Sequence, residues 1–175
     1  MSPEATARAR NVRLLCCDVD GVLTDGTIYL DDLGHEMKAF NALDGYAMRM
    51  LRDAGIAVAW ITGSSAPTVL FRAKRLAVEH VLLDIADKLT AFQTLREKLG
   101  IPAEACAHIG DDIPDLPVMR ACGFAASVPH APAAVREHAH YVTTCAGGRG
   151  AVRELAEFIL AAQGRAVRDT RLRSS

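Results

Sequence analysis

In the stretch Leu14-Leu15-Cys16-Cys17-Asp18-Val19-Asp20-Gly21-Val22-Leu23-Thr24, a short apolar run ends in two aspartates one residue apart, followed by a glycine. On an extended backbone, side chains repeat every second residue, so Asp18 and Asp20 are expected on the same side. Two carboxylates on one edge repel, and burying them together is costly without a cation. Gly21 allows a tight turn where the strand stops. For an isolated Asp-x-Asp-Gly, a strand end running into an acidic turn is the commoner explanation. The residues further along the chain argue against it here.

At 175 residues the chain is read as one domain, with a core over 12–163 and flexible tails at 1–11 and 164–175. Half of the residues are hydrophobic and 23% are charged, as in ordinary globular proteins. A net charge of −1 gives no general attraction for nucleic acid or an anionic membrane. The apolar runs fall far short of the roughly 20 residues that span a bilayer. Residues 1–13 lack the apolar core of a secretion signal, and five cysteines without paired spacing read as reduced thiols. Together these place the chain in the cytoplasm.

Apolar runs alternate with helical patterns along the chain. Strands are expected at 12–17, 56–61, 81–83, 105–109, 124–128 and 141–143. Helices are expected at 45–54, 67–76 (with Ser65 as cap), 88–99 (with Asp87 as cap), 114–121, 132–139 and 150–163. This rhythm predicts a three-layer α/β/α, Rossmann-like parallel sheet. One feature breaks it: residues 27–30 and 36–40 flank Asp31-Asp32-Leu33-Gly34 as a hairpin that no helix covers. A two-stranded ribbon is marginal alone, so this one is expected to pair with copies of itself in a homo-oligomer, a tetramer through residues 27–40.

In such a sheet, ligands sit beyond the carboxyl ends of the strands. Four predicted strands end in polar residues: Asp18 and Asp20; Thr62-Gly63-Ser64; the turn from Asp84 to Lys88; and Gly110-Asp111-Asp112 with Asp115. Folding would gather several carboxylates, a hydroxyl with free amides, and one lysine. Hard carboxylate oxygens hold Mg²⁺, while the hydroxyl, amides and lysine neutralise phosphate oxygens. The histidines show no trustworthy metal spacing, and Trp60 reads as core.

These motifs, in this order, resemble those of the haloacid dehalogenase-like phosphatases. Asp25-Gly26, Lys38-Ala39-Phe40-Asn41-x-x-Asp44-Gly45-Tyr46 and Ala146-Gly147-Gly148-Arg149-Gly150-Ala151-Val152-Arg153-Glu154 narrow the resemblance to the small capless 3-deoxy-D-manno-octulosonate 8-phosphate (KDO 8-phosphate) phosphatase family. It implies a Mg²⁺-dependent phosphoric monoester hydrolase without a cap domain. Asp18 would be the nucleophile that forms an aspartyl-phosphate, and Asp20 the general acid and base. Thr62 and Lys88 complete the implied catalytic set. Asp18, Asp20 (through its carbonyl) and Asp111 would hold the metal, while Asp112 and Asp115 would partner the lysine or metal waters.

The implied substrate contacts are Asp20, Asn41, Ala42, Leu43, Asp44, Gly45, Arg49, Gly63, Ser64, Arg72 and Lys88, with 41–45 read as a loop near the substrate. Arg49 and Arg72 suit a sugar acid phosphate, which carries a carboxylate beside its phosphate. One departure stands out: related phosphatases carry arginine directly after Thr-Gly, where this chain has Ser64. A hydroxyl supplies neither charge nor fork; Arg149 offers a replacement, from its own or a neighbouring subunit. The resemblance favours KDO 8-phosphate as substrate, with a nonulosonate 9-phosphate (sialic-acid-like) second. A non-catalytic phosphatase-like module is disfavoured by the intact Asp18 and Asp20. A signalling receiver domain is disfavoured because the strand before Thr62 ends without an acid.

Overall fold

Residues 14–17 are apolar and buried at every position, which only a strand covered on both faces can be. The computed structural model describes residues 2–165. Its elements in chain order are α1 (Pro3–Ala9), β1 (Leu14–Cys17), β2 (Tyr29–Leu30), β3 (Glu36–Met37), α2 (Ala42–Asp53), β4 (Ala57–Ile61), α3 (Pro67–Leu76), β5 (His80–Leu82) and α4 (Lys88–Lys98). They continue with β6 (Cys106–Gly110), α5 (Leu116–Ala121), β7 (Phe124–Ser127), α6 (Ala133–Arg136), β8 (Tyr141–Val142) and α7 (Ala151–Ala162). The main sheet runs β5-β4-β1-β6-β7-β8 with every pair parallel. From β1 the chain travels out to β4 and β5, then returns across β1 to β6. The order therefore reverses beside β1, and a crevice opens at its carboxyl end. This is the expected Rossmann-like fold.

Several local expectations are corrected. Residues 1–11 were read as a flexible tail, but Pro3–Ala9 is a helix with Ala5 and Ala9 fully buried. It docks through small alanines and two backbone-directed bonds: Arg8 donates to the Gly123 carbonyl at 2.9 Å, and Gln163, just after α7, donates to the Ala9 carbonyl at 3.3 Å. Gly164 and Arg165 close the end of α7 with amide bonds to Ala161 and Leu160; residues 166–175 of the expected tail lie outside the described residues. Ser65 does not cap α3, whose preceding residue is Ala66; instead the Ser64 hydroxyl accepts the Ala66 amide at 3.2 Å.

The hairpin is shorter than its sequence indicated, with Tyr29 opposite Met37 and Leu30 opposite Glu36. Asp31 ties its turn by accepting the amides of Leu33 and His35. Ile28, Leu30, Leu33 and Met37 are each at least 60% exposed in the single chain.

Residues 41–45 are not a loop. Asn41 caps α2 by accepting the Leu43 amide at 2.7 Å, so Ala42–Gly45 form its first turn. Within that turn Asp44 points inward, only 1% exposed. Its carboxylate accepts the Gly150 amide at 3.1 Å and the Arg153 amide at 2.9 Å, thereby capping α7, which has no side-chain cap of its own. Burial pushes the Asp44 carboxyl upward, and these amide bonds pull it back. The neighbouring loop locks onto the turn after β1. A Cβ at Gly147 would lie 1.8 Å from the Gly21 carbonyl oxygen, so only glycine permits that approach. The Gly148 amide then donates to the Val22 carbonyl at 2.9 Å.

Replacing Asp44 with alanine leaves buried α7 amides without acceptors. The expected loss is about 2–3 kcal/mol of folding stability, read as a lower urea midpoint with an unchanged m-value.

Candidate active site

β1 ends at Cys17, and the chain turns at once: the Leu23 and Thr24 amides both donate to the Val19 carbonyl, at 2.9 and 3.0 Å. Asp20 thus belongs to a turn rather than to the extended strand whose alternation was expected to align it with Asp18. Gly21 sits at φ +90°, and a Cβ there would stand 2.0 Å from Asp111 Oδ2. The glycine therefore admits the Asp111 carboxylate against the turn. Asp18 is 5% exposed and Asp20 is half-buried. Both line a cavity of about 370 Å³ together with Thr62, Gly63, Lys88 and Asp111.

Lys88 opens α4, a place where the helix dipole disfavours a cation. Its Nζ is nevertheless buried, donating to Asp18 Oδ1 at 2.7 Å and to Asp115 Oδ1 at 2.8 Å. Asp115 is fully engaged: Oδ1 also meets His108 Nε2 at 2.9 Å, and Oδ2 accepts the Asp111 amide at 3.2 Å. Asp112 lies exposed and accepts the Ile113 amide at 2.8 Å, closing the short 3-10 turn Ile113–Asp115. Across the cavity, Thr62 Oγ1 accepts the Ser64 amide at 3.0 Å, which leaves the hydroxyl proton free for a ligand.

The electrostatics follow from this geometry. Burial, reinforced by the Asp115 charge, raises Asp18 to about 7 despite the adjacent Lys88. Burial likewise raises Asp111 to about 6, and the two carboxyl groups are close enough for a hydrogen bond between them. For Asp115 burial pushes the same way, but the His108 bond and the Lys88 cation outweigh it and hold the group at about 2. Burial works against the Lys88 charge, and Asp18 and Asp115 more than restore it. Oxygens of Asp18, Asp111 and Asp115 all lie within 4.8 Å of one another. With Asp115 taken up by protein donors, Asp18 and Asp111 are the pair whose repulsion remains open to a hard divalent cation.

The fold thus brings together Asp18, Asp20, Thr62, Gly63, Ser64, Lys88 and Asp111, with Asp112 and Asp115 beside them. It does not bring the other implied substrate contacts to that cavity within one chain. Arg49 and Arg72 line a separate cavity of about 510 Å³ with Arg52 and Arg75, and Ala42 and Gly45 border it too. Leu43 is 55% exposed, Asn41 caps α2, and the Asp44 carboxylate faces α7. Arg149 lies 3.9 Å from Asp25 and is largely exposed.

Two residues were missed in the sequence. His108 is fully buried against Asp115, with Nδ1 unpartnered. Lys38 reaches Asp20 from the base of the hairpin. Strand alternation carries a weak signal for the first, since His108 interrupts an otherwise apolar buried strand. No local pattern flags the second. His138 and His140 are occupied by the Ala134 carbonyl and the Ala125 amide, as surface histidines beside a short strand would be.

Known proteins resemble this chain in sequence and in fold. The profile of the haloacid dehalogenase-like hydrolases matches residues 75–155. The 3-deoxy-D-manno-octulosonate 8-phosphate phosphatase KdsC of Escherichia coli K12 is 46% identical over 165 residues, covering 94% of this chain and 88% of that one. The crystal structure of the same phosphatase from Yersinia pestis superposes with a TM-score of 0.92 at 45% identity, over 94% of this chain and 89% of that chain. The enzyme from Moraxella catarrhalis, solved with magnesium, phosphate and KDO, gives a TM-score of 0.91 at 44% identity, over 94% of each chain. The chain belongs to the KdsC family of haloacid dehalogenase-like phosphatases.

Proposed function

We propose that this protein is a Mg²⁺-dependent phosphatase that hydrolyses KDO 8-phosphate to KDO and phosphate. The observation that carries the reading is the buried Lys88 joined to Asp18 and Asp115, with Asp111 at the same point, beneath a cavity rimmed by Thr62 and Gly63. The substrate follows from relatives that share over 40% of their residues with this chain, one of them bound to KDO.

The chemistry runs in two displacements. The substrate phosphate settles on the Thr62 hydroxyl and the Gly63 backbone, with Lys88 offsetting its charge. Lys88 holds Asp18 by Oδ1, which leaves Oδ2 to attack phosphorus. As the bond from phosphorus to the sugar oxygen breaks, Asp20 gives that oxygen a proton. Water then attacks the aspartyl-phosphate, Asp20 takes its proton, and Asp18 is released with inorganic phosphate. Asp18, Asp111 and the Asp20 carbonyl would hold Mg²⁺, which would supply positive charge at the phosphate and relieve the carboxylate repulsion. Asp115 keeps Lys88 and the 110–115 turn in place, with His108 behind it.

Substrate selection calls for a second copy of the chain. The α2–α3 face that carries Arg49 and Arg72 reaches a sugar acid only when another subunit brings it to the cavity. The exposed apolar hairpin is the surface suited to such an assembly, a tetramer in this reading. Ser64 supplies neither the charge nor the fork of an arginine, and a nonulosonate 9-phosphate is the alternative substrate. Five free cysteines fit a reducing cytoplasm, and among the described residues no helix is long and apolar enough to cross a membrane. There the product would feed lipopolysaccharide sugar synthesis.

Asp18→Asn is expected to lower Mg²⁺-dependent phosphate release from KDO 8-phosphate by at least about 10³-fold. Unchanged release would exclude the covalent route. A second test uses pH. Asp18 and Asp111 titrate in the folded protein at about 7 and about 6, above the ordinary carboxylate range, so the native state holds more protons than the unfolded one between about pH 4 and 7. In EDTA the melting temperature should therefore fall as pH rises through that window. Added Mg²⁺ should raise it more at pH 8 than at pH 5, because protons compete for the same oxygens. Finally, aspartate at Leu30 and Leu33 together should convert the assembly to monomers in sedimentation velocity. It should also lower kcat/KM for the sugar acid phosphate about 10-fold or more, as expected when a bidentate arginine contact is lost.

A further inference from the structure

Lys38 leaves the base of the hairpin and turns inward. Its Nζ lies 2.5 Å from Asp20 Oδ1 and 2.5 Å from Glu36 Oε1. The lysine side chain is 4% exposed, against 39% for Asp20 and 30% for Glu36. The two carboxylates hold its charge against burial. Exposed ion pairs contribute little, but a cation removed from water and shared by two carboxylates is committed to that position.

Asp20 needs such an anchor. It sits on a turn rather than a strand, and its side chain projects into an open cavity. No other bond to a described side chain is seen to fix it there.

We propose that Lys38 is the positioning residue for Asp20, holding Oδ1 so that Oδ2 faces the leaving-group oxygen. This rests on the reading of Asp20 as proton donor. In the step concerned, Asp18 Oδ2 bonds to phosphorus and the bond from phosphorus to the sugar oxygen breaks. That oxygen takes the proton from Asp20 Oδ2, and Lys38 keeps all of its own. Geometry precedes acidity in general-acid catalysis, and a displaced donor loses much of its effect. The hairpin that offers the assembly surface is thereby tied to the acid itself.

The test exploits the leaving group. A sugar alkoxide requires a proton as it departs, whereas p-nitrophenolate does not. Because kcat/KM reports the phosphorylation of Asp18, Lys38→Met should lower it about 10- to 100-fold for KDO 8-phosphate but less than about 3-fold for p-nitrophenyl phosphate. Lys38→Arg should recover most of the loss. On an Asp20→Asn background, Lys38→Met should lower neither value further. Lys38→Gln carries the same comparison if methionine at this position unfolds the chain. Equal losses on both substrates, or a further loss on the Asp20→Asn background, would overturn the proposal. Wild-type protein that hydrolyses neither compound would instead overturn the phosphatase reading, so the two failures are distinct.

Discussion

A lysine buried between two aspartates governs this structure. Lys88 stands where its helix disfavours a cation, and where Asp18 and Asp115 would repel without it. Removing the lysine would leave two buried carboxylates uncompensated, a far larger penalty than the loss of a surface pair. The trio therefore sets the distance between the ends of β1, α4 and β6. His108 and the amides of Asp111 and Asp112 close the remaining valences of Asp115. This keeps Asp115 ionised while its neighbours Asp18 and Asp111 are pushed upward. Three carboxylates within a few ångströms thus have different jobs because their partners differ.

Around this centre a backbone clamp determines where Asp20 and Asp111 stand. The Gly21 turn is pressed between the Asp111 carboxylate and the Gly147 backbone, and Gly148 bonds back to Val22. Asp44 caps α7 and Glu154 accepts the amides of Thr144 and Cys145, so the glycine-rich loop is held from both sides. Those glycines and acids form the scaffold of the site. Close backbone approach, which tolerates no Cβ, explains why the block reads Gly147-Gly148.

The remaining charged and apolar features lie apart from this centre. Among the described residues, an acidic cavity and an arginine-lined cavity lie apart from each other. The hairpin leaves Ile28, Leu30, Leu33 and Met37 exposed in the single chain, and Lys38 connects its base to Asp20.

The parallel sheet was legible in the chain because its buried strands are mostly apolar runs, β1 and β4 entirely so, and they alternate with helical patterns. The candidate site was legible because its acids, its Thr-Gly and its lysine fall at successive strand ends, where topology alone gathers them. The N-terminal helix was not: it buries alanines, which carry almost no periodic signal. Nor was the first turn of α2, because Asn41 and Asp44 look alike whether they cap a helix or meet a ligand. Asp44 and Gly150 are bonded across more than a hundred residues, and so are the approach of Gly147 to Gly21 and the bond of Arg8 to Gly123. By itself the sequence determined which residues can carry charge and which elements they end. Only the folded chain decided which charge faces which, since burial and partnership exist between segments and are written in none of them.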